Sequence, residues 1–313
     1  MSRGIDGTFL KFHHHNTAEG KYWNPALDSF TAENWREKVR EIAALKMEYI
    51  VVMATALYDR CYFESPFFRW RIFPAPTLSK RCSTRRTNAH KGFPRQRLLR
   101  RLDEAGVNIT SSEVIDRSFK AMDELTEKYA RHKSFYGWYF PDETCIILRF
   151  SGNFMKYVNL CSARCREITP DKKTLIAPYG TNLTLTNSKY IDALASLDVD
   201  FIAYQDEIGV KKTRVWQSER IFARLKKAHD KAGRAALWAD IELFDFEGMV
   251  YKSALLPADF KRIERQIANV APYADKIIGY QYIGLMNPED SGSFAGHESS
   301  AELYRQYAEY LNK

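Results

Sequence analysis

Short runs of β-branched and aromatic residues alternate with helix-patterned stretches eight times along this 313-residue chain. The strand-like runs are 7–12 (GTFLKF), 49–57 (YIVVMATAL), 107–110, 135–141 (FYGWYFP), 174–179 (TLIAPY), Phe201–Gln205 (FIAYQ), 236–244 (ALWADIELF) and 277–283 (IIGYQYI). Several are apolar nearly throughout, as expected of parallel strands buried on both faces. The helical stretches are 31–45, 98–105, 112–130, 142–168, 189–197, Val215–Ala232, 258–271 and 300–311. Thr31 reads as an N-cap with Asn34 at the third helical position, and Gly233 as a C-terminal stop. Strict β/α alternation specifies a parallel sheet, and eight units specify closure. The expected fold is therefore α/β, a (β/α)₈ (TIM) barrel, as one domain over residues 1–313 and irregular around strand 3. A doubly wound open sheet is the competing fold, but no glycine-rich phosphate loop follows the first strand.

Residues 60–101 break the pattern. This segment holds 12 of the 47 Lys and Arg residues and one acid, Glu64. The rest of the chain carries 35 basic and 38 acidic residues, so the formal net charge of +8 is local to the segment. It has three readings: a variable surface insertion, an out-of-frame stretch, or an anion-binding arm, the last ranked lowest because one unpatterned basic stretch is weak grounds for nucleic-acid binding. Residues 66–94 are expected to form an excursion with few buried apolar side chains. No nucleic-acid partner is expected.

Five cysteines, Cys61, Cys82, Cys145, Cys161 and Cys165, show no disulfide framework. Cys161 and Cys165 share one helix face and read as reduced core thiols. No apolar run is long enough to span a membrane, and residues 1–11 have no apolar signal region. The chain as written reads as cytoplasmic, or as secreted if a signal peptide was removed, with no membrane partner.

In a β/α barrel the site forms just beyond the carboxyl ends of the strands. Those positions are rich in acids: Asp142 and Glu143 after strand four, Gln205, Asp206 and Glu207 around the end of strand six, and Asp240 and Glu242 within strand seven. Asp240 and Glu242 have the same parity, so they share a face of the strand. Two charges on a barrel interior need partners or a function, the bland reading being a buried ion pair. Trp138, Tyr179, Tyr204, Trp238 and Tyr282, near strand ends, are candidate stacking surfaces for sugar rings, although strand aromatics taken singly usually pack the core. His13, His14 and His15 follow strand one. On an extended chain neighbouring side chains alternate, so at most His13 and His15 share a side, and no metal site or cofactor is expected.

GWYFPDE at 137–143, LIAPYG at 175–180, IAYQDEIG at 202–209 and LWADIELF at 237–244 resemble, in that order, a bacterial barrel family known as domain of unknown function 4434 and grouped by inference with glycoside hydrolases. The likeness covers the first strand and helix and nearly all of the chain from Ser112, and stops over residues 60–101. An acid after strand four and a glutamate ending strand seven also resemble clan A glycoside hydrolases. That resemblance implies Glu143 as general acid/base and Glu242 as nucleophile, with Asp142, Asp206, Tyr204, Gln205, Asp240, Trp238, Tyr179, Tyr282 and Trp138 around a carbohydrate substrate. Clan A enzymes have Asn before the acid/base, where this chain has Asp142, so Asp142 is itself a candidate acid. A non-catalytic carbohydrate-binding barrel and a metal-dependent hydrolase using the acids and histidines remain the alternatives.

Overall fold

The computed structural model describes residues 3–53, 55–57, 60–66, 69–70, 91–94, 108–141 and 143–313, with the backbone alone at 56–57, 60, 69–70 and 91–94. Eight strands form one sheet: β1 (Gly7–Lys11), β2 (Tyr49–Met53), β3 (Lys91–Pro94), β4 (Gly137–Phe140), β5 (Lys173–Ile176), β6 (Phe201–Gln205), β7 (Ala236–Glu242) and β8 (Lys276–Tyr280). Their spatial order is β3-β2-β1-β8-β7-β6-β5-β4, and every ladder in the sheet is parallel. The two ends of that order are consecutive in sequence and lie side by side, with no ladder between them among the described residues. The result is a nearly closed TIM-like barrel.

The helices α1 (Ala32–Ala44), α2 (Ser112–Tyr129), α3 (Gly152–Ile168), α4 (Ser188–Ser196), α5 (Val215–Ala232), α6 (Phe260–Val270) and α7 (Ser299–Leu311) cover the sheet. Their ends follow from local chemistry. Thr31 and Asn34 form a reciprocal capping box at the start of α1. Ser111, Ser151 and Asn187 cap α2, α3 and α4 by accepting backbone N–H groups. Gly233, at φ +61°, ends α5 in the left-handed conformation that glycine adopts without steric cost. No described helix is long and apolar enough to cross a membrane.

Two apolar layers result. Phe9, Tyr49, Val51, Met53, Tyr139, Leu175, Ala203, Trp238 and Ile278 fill the barrel interior. The opposite face of each strand packs against the helices, as Leu237, Ala239 and Ile241 do on β7. Interior positions are odd-numbered on β1, β2, β4, β5 and β6 and even-numbered on β7 and β8. This parity decides which residues can reach the barrel mouth.

Three sequence expectations need correction. The third strand is not 107–110. Residues 108–111 form the turn that leads into α2, where Asn108 and Ser111 accept backbone hydrogen bonds. Strand three is instead Lys91–Pro94, paired with β2 through Tyr49↔Lys91 and Val51↔Phe93. Part of the basic segment thus belongs to the barrel, because pairing with β2 satisfies its backbone without any help from side-chain periodicity. The run 236–244 is also divided. β7 ends at Glu242, and Phe244–Phe246 turns away to pair antiparallel with Leu255–Pro257. The proposed helix at 98–105 and the packing of most of residues 66–94 lie outside the described residues. Cys61, Cys145, Cys161 and Cys165 are free thiols, and burial pushes the Cys161 thiol up to about 12. Cys82 lies outside the described residues.

Candidate active site

The carboxyl ends of the strands surround a cavity of about 320 Å³. Glu143 enters it from the segment after β4, Tyr179 from the segment after β5, Gln205 and Glu207 from the end of β6, Asp240 and Glu242 from β7, Tyr280 from β8, and Lys11 from β1.

Glu242 is the best-defined acid. It is buried, and its Oε2 accepts the Val210 N–H at 2.8 Å. The loop after β6 reaches it because residue 209 is glycine: a Cβ there would lie 2.5 Å from the Phe244 carbonyl oxygen and 3.0 Å from Glu242 Oε2. Burial first, and then the charge of Asp206, push the Glu242 carboxyl up to about 8. Two residues earlier on the same face, Asp240 is only 2% exposed, and its Oδ1 has no hydrogen-bond partner among the described residues. Burial, followed by the charges of Asp206, Glu242 and Glu143, raises it well above the ordinary carboxylate range.

The other inward residues hold the mouth together. Glu207 is buried at φ +55°. Its Oε2 accepts the Gly180 and Thr181 N–H groups, both at 2.9 Å, and its Oε1 lies 3.3 Å from Lys212 Nζ. Lys212 in turn sits over the Tyr179 ring, 5.0 Å from its centroid. Lys11 donates to the Tyr280 hydroxyl and lies 3.4 Å from His14 Nε2. His14 Nδ1 faces the Asn16 carbonyl oxygen at 3.0 Å, so that nitrogen carries a proton, and Nε2 is the side turned toward Tyr280 and Glu19.

Of the sequence candidates, Glu143, Glu242, Asp240, Gln205 and Tyr179 line the cavity. The other described ones do not. Tyr204 has outward parity, and its hydroxyl pairs with Tyr190 and with His229 Nε2, each at 2.8 Å, in the layer beneath the helices. Asp206 has the same parity. It accepts the Glu242 N–H, the Ile208 N–H and the Gln266 amide at 3.2, 3.2 and 2.6 Å, which ties the end of β6 to β7 and α6. Trp238 packs inside the barrel below the cavity, 4.5 Å from the Phe201 ring. Trp138 donates to Thr169, and the Tyr282 hydroxyl donates to Glu41. Asp142 lies outside the described residues.

The histidine expectation fails because the chain bends after β1 instead of staying extended. His14 and His15 stack at 5.0 Å and both line the cavity, while His13 turns to Asp28 at 3.7 Å. Among the described residues, no group of three or more His, Cys, Asp or Glu side chains is placed to hold a metal ion. Lys11 is missing from the sequence candidates, and Glu207 and Tyr280 stand in the sequence only as strand-end positions without a role, although parity places all three once one inward residue of each strand is known. Lys11 shares a face with Phe9, Glu207 continues the face of Gln205, and Tyr280 shares a face with Ile278.

Solved structures of similar fold span the whole chain. A provisionally assigned alpha-L-fucosidase from Bacteroides thetaiotaomicron superposes with a TM-score of 0.73 at 19% identity, over 99% of this chain and 94% of that one. An FMN-binding beta-glucuronidase from Facaelibacterium prausnitzii gives 0.61 at 14% identity, over 100% of this chain and 44% of that one. A beta-D-glucuronidase from Dictyoglomus thermophilum gives 0.58 at 11% identity, over 99% and 50%. The chain therefore spans about half the length of either glucuronidase, and at these identities the likeness establishes the fold alone. No curated protein matches the chain in sequence. Residues 103–292, which carry β4 to β8 and every acid of the cavity except Glu19, match the family model described as Domain of unknown function (DUF4434), and the chain belongs to that family.

Proposed function

We propose that the cavity hydrolyses a glycosidic bond, with Glu143 as general acid/base and Glu242 as nucleophile. The observation that carries this reading is that carboxyl groups from the ends of β4 and β7 line one cavity, with a buried third acid, Asp240, beside them. The fucosidase and glucuronidase names of the structural neighbours add a weaker argument from fold.

In this scheme the Glu242 carboxylate attacks the anomeric carbon while the Glu143 carboxyl protonates the departing oxygen. Glu143 then takes a proton from the water that releases the sugar. Retention of configuration requires the two carboxyls to stand ~5 Å apart around the bound sugar. The Val210 N–H aims at the Glu242 oxygen and favours its ionised form against the burial that opposes it. Tyr179 and Tyr280 supply rings at the cavity wall, and Gln205 supplies an amide there.

The test is a screen of aryl glycosides covering neutral, deoxy, amino and uronic sugars, with Glu242→Gln as the control. Turnover that vanishes in the variant supports the assignment. Turnover that survives in it places the chemistry elsewhere.

A further inference from the structure

Two buried carboxyl groups of the cavity, Asp240 and Glu242, are not ion-paired among the described residues. Lys212 is engaged with Glu207 at 3.3 Å, and Lys11 is engaged with Tyr280 and His14 on the β1 side. Arg262, a cation that acts on Glu242, donates to the backbone oxygens of Glu242 and Phe244 instead of to the carboxyl. Asp240 is the extreme case. It is 2% exposed, it lines the cavity, and its Oδ1 lacks any hydrogen-bond partner among the described residues.

We propose that Asp240 anchors a protonated amine of the ligand, which makes an amino sugar with a free amine the substrate class of this mouth. The inference rests on the carbohydrate reading above and deepens it. A ligand hydroxyl would gain one hydrogen bond at Asp240. An ammonium group brings three donors, and its charge favours the ionised form of Asp240 and of the acids beside it. An anionic group would oppose that ionisation. The rings of Phe9, Phe244 and Tyr280, with centroid separations of 6.0 Å (Phe9–Tyr280) and 5.9 Å (Phe244–Tyr280), line the same cavity.

Occupancy has a proton signature. The groups acting on Asp240 are Asp206 from β6, Glu242 from its own strand and Glu143 from the end of β4, all acids. Burial and these neighbours raise Asp240 well above the ordinary carboxylate range. An arriving ammonium favours the ionised form, so binding releases a proton from Asp240 to the buffer.

The experiment is calorimetric binding of glucosamine and galactosamine against their N-acetyl and parent forms. It uses the wild-type chain and Glu143→Gln, at slightly acid pH, in two buffers of different ionisation enthalpy. The free amine is expected to bind at least roughly tenfold tighter than either counterpart, with release of about one proton per site. Asp240→Asn is expected to abolish both the preference and the release. Equal or weaker binding of the amine, absence of proton release, or a preference that persists in Asp240→Asn overturns the proposal. If Asp240→Asn does not fold, the wild-type preference and proton count decide alone. Turnover of aryl glycosides without amine preference would overturn this inference and leave the glycosidase reading standing. Amine preference without turnover would do the reverse.

Discussion

The Val210 N–H points at Glu242 Oε2 across 2.8 Å, so the loop that follows β6 fixes the carboxyl that ends the neighbouring strand. The contact depends on Gly209, which lets the loop backbone pass between that carboxyl and the Phe244 carbonyl oxygen. Site geometry and loop conformation are therefore set together, and the predictions below separate chemistry from stability on that basis.

Removing either carboxyl should separate activity from stability. Glu143→Gln and Glu242→Gln are each expected to lower kcat/KM on a responsive aryl glycoside by at least roughly a hundredfold. Thermal stability should hold or rise, because relieving a strained site commonly stabilises. A loss of ~3 kcal/mol or more in both variants, read from denaturant melts, would instead mark the acids as partners in a structural network.

Stability should fall as pH rises through neutrality. The folded carboxyl of Glu242 is raised to about 8 from its ordinary value of 4.5, so between those values the folded chain holds a proton that the unfolded chain has released. Each such group contributes a decline of up to about 1.4 kcal/mol per pH unit in that window. Asp240, also raised, adds to the slope. Urea melts from pH 5 to 8 measure it, and Glu242→Gln should flatten it by about one group's share.

The pH–rate profile assigns the roles. A nucleophile must be ionised, so kcat/KM is expected to climb roughly tenfold per unit until the pH passes the raised Glu242 value. A rate that instead falls across that same range would make Glu242 the proton donor and exchange its part with Glu143.

Gly209→Ala should damage the site from the loop side. The added Cβ would meet the Phe244 oxygen at 2.5 Å, a contact that backbone cannot easily yield. A loss of ~1–3 kcal/mol is expected together with a lower kcat, since the Val210 N–H moves with the loop. An unchanged melting temperature with unchanged kcat would show that the loop does not constrain Glu242.

Two tyrosines should behave oppositely. Tyr204→Phe strands His229 Nε2 and the Tyr190 hydroxyl in the core, so it is expected to cost ~1–2 kcal/mol and leave KM unchanged. Tyr179→Ala removes a ring from the cavity wall, so it should raise KM and affect melting less. Thermal melts and steady-state kinetics on the two variants check the contrast.

Outside residues 60–111, the sequence alone determined the order of strands and helices, because burial leaves a period of two or 3.6 in the residues that it selects. It also determined helix starts such as Thr31, which are local hydrogen-bond chemistry, and the shared face of Asp240 and Glu242, which follows from counting along one strand. It could not say which face of a strand points inward when both are buried. In FIAYQDE, Tyr204 with Asp206 and Gln205 with Glu207 are equally good candidates by pattern, and closure of the barrel turned the second pair to the cavity. Strand three escaped detection for the same reason in stronger form: KGFP carries no periodicity of its own, and its place comes from backbone pairing with β2. The bend that brings His14 and His15 together, and the approach of Lys11 to Tyr280, likewise join residues that are far apart in sequence or turned by a loop. Parity along a strand is a local property, whereas the inside of a barrel exists only once eight strands have closed around it.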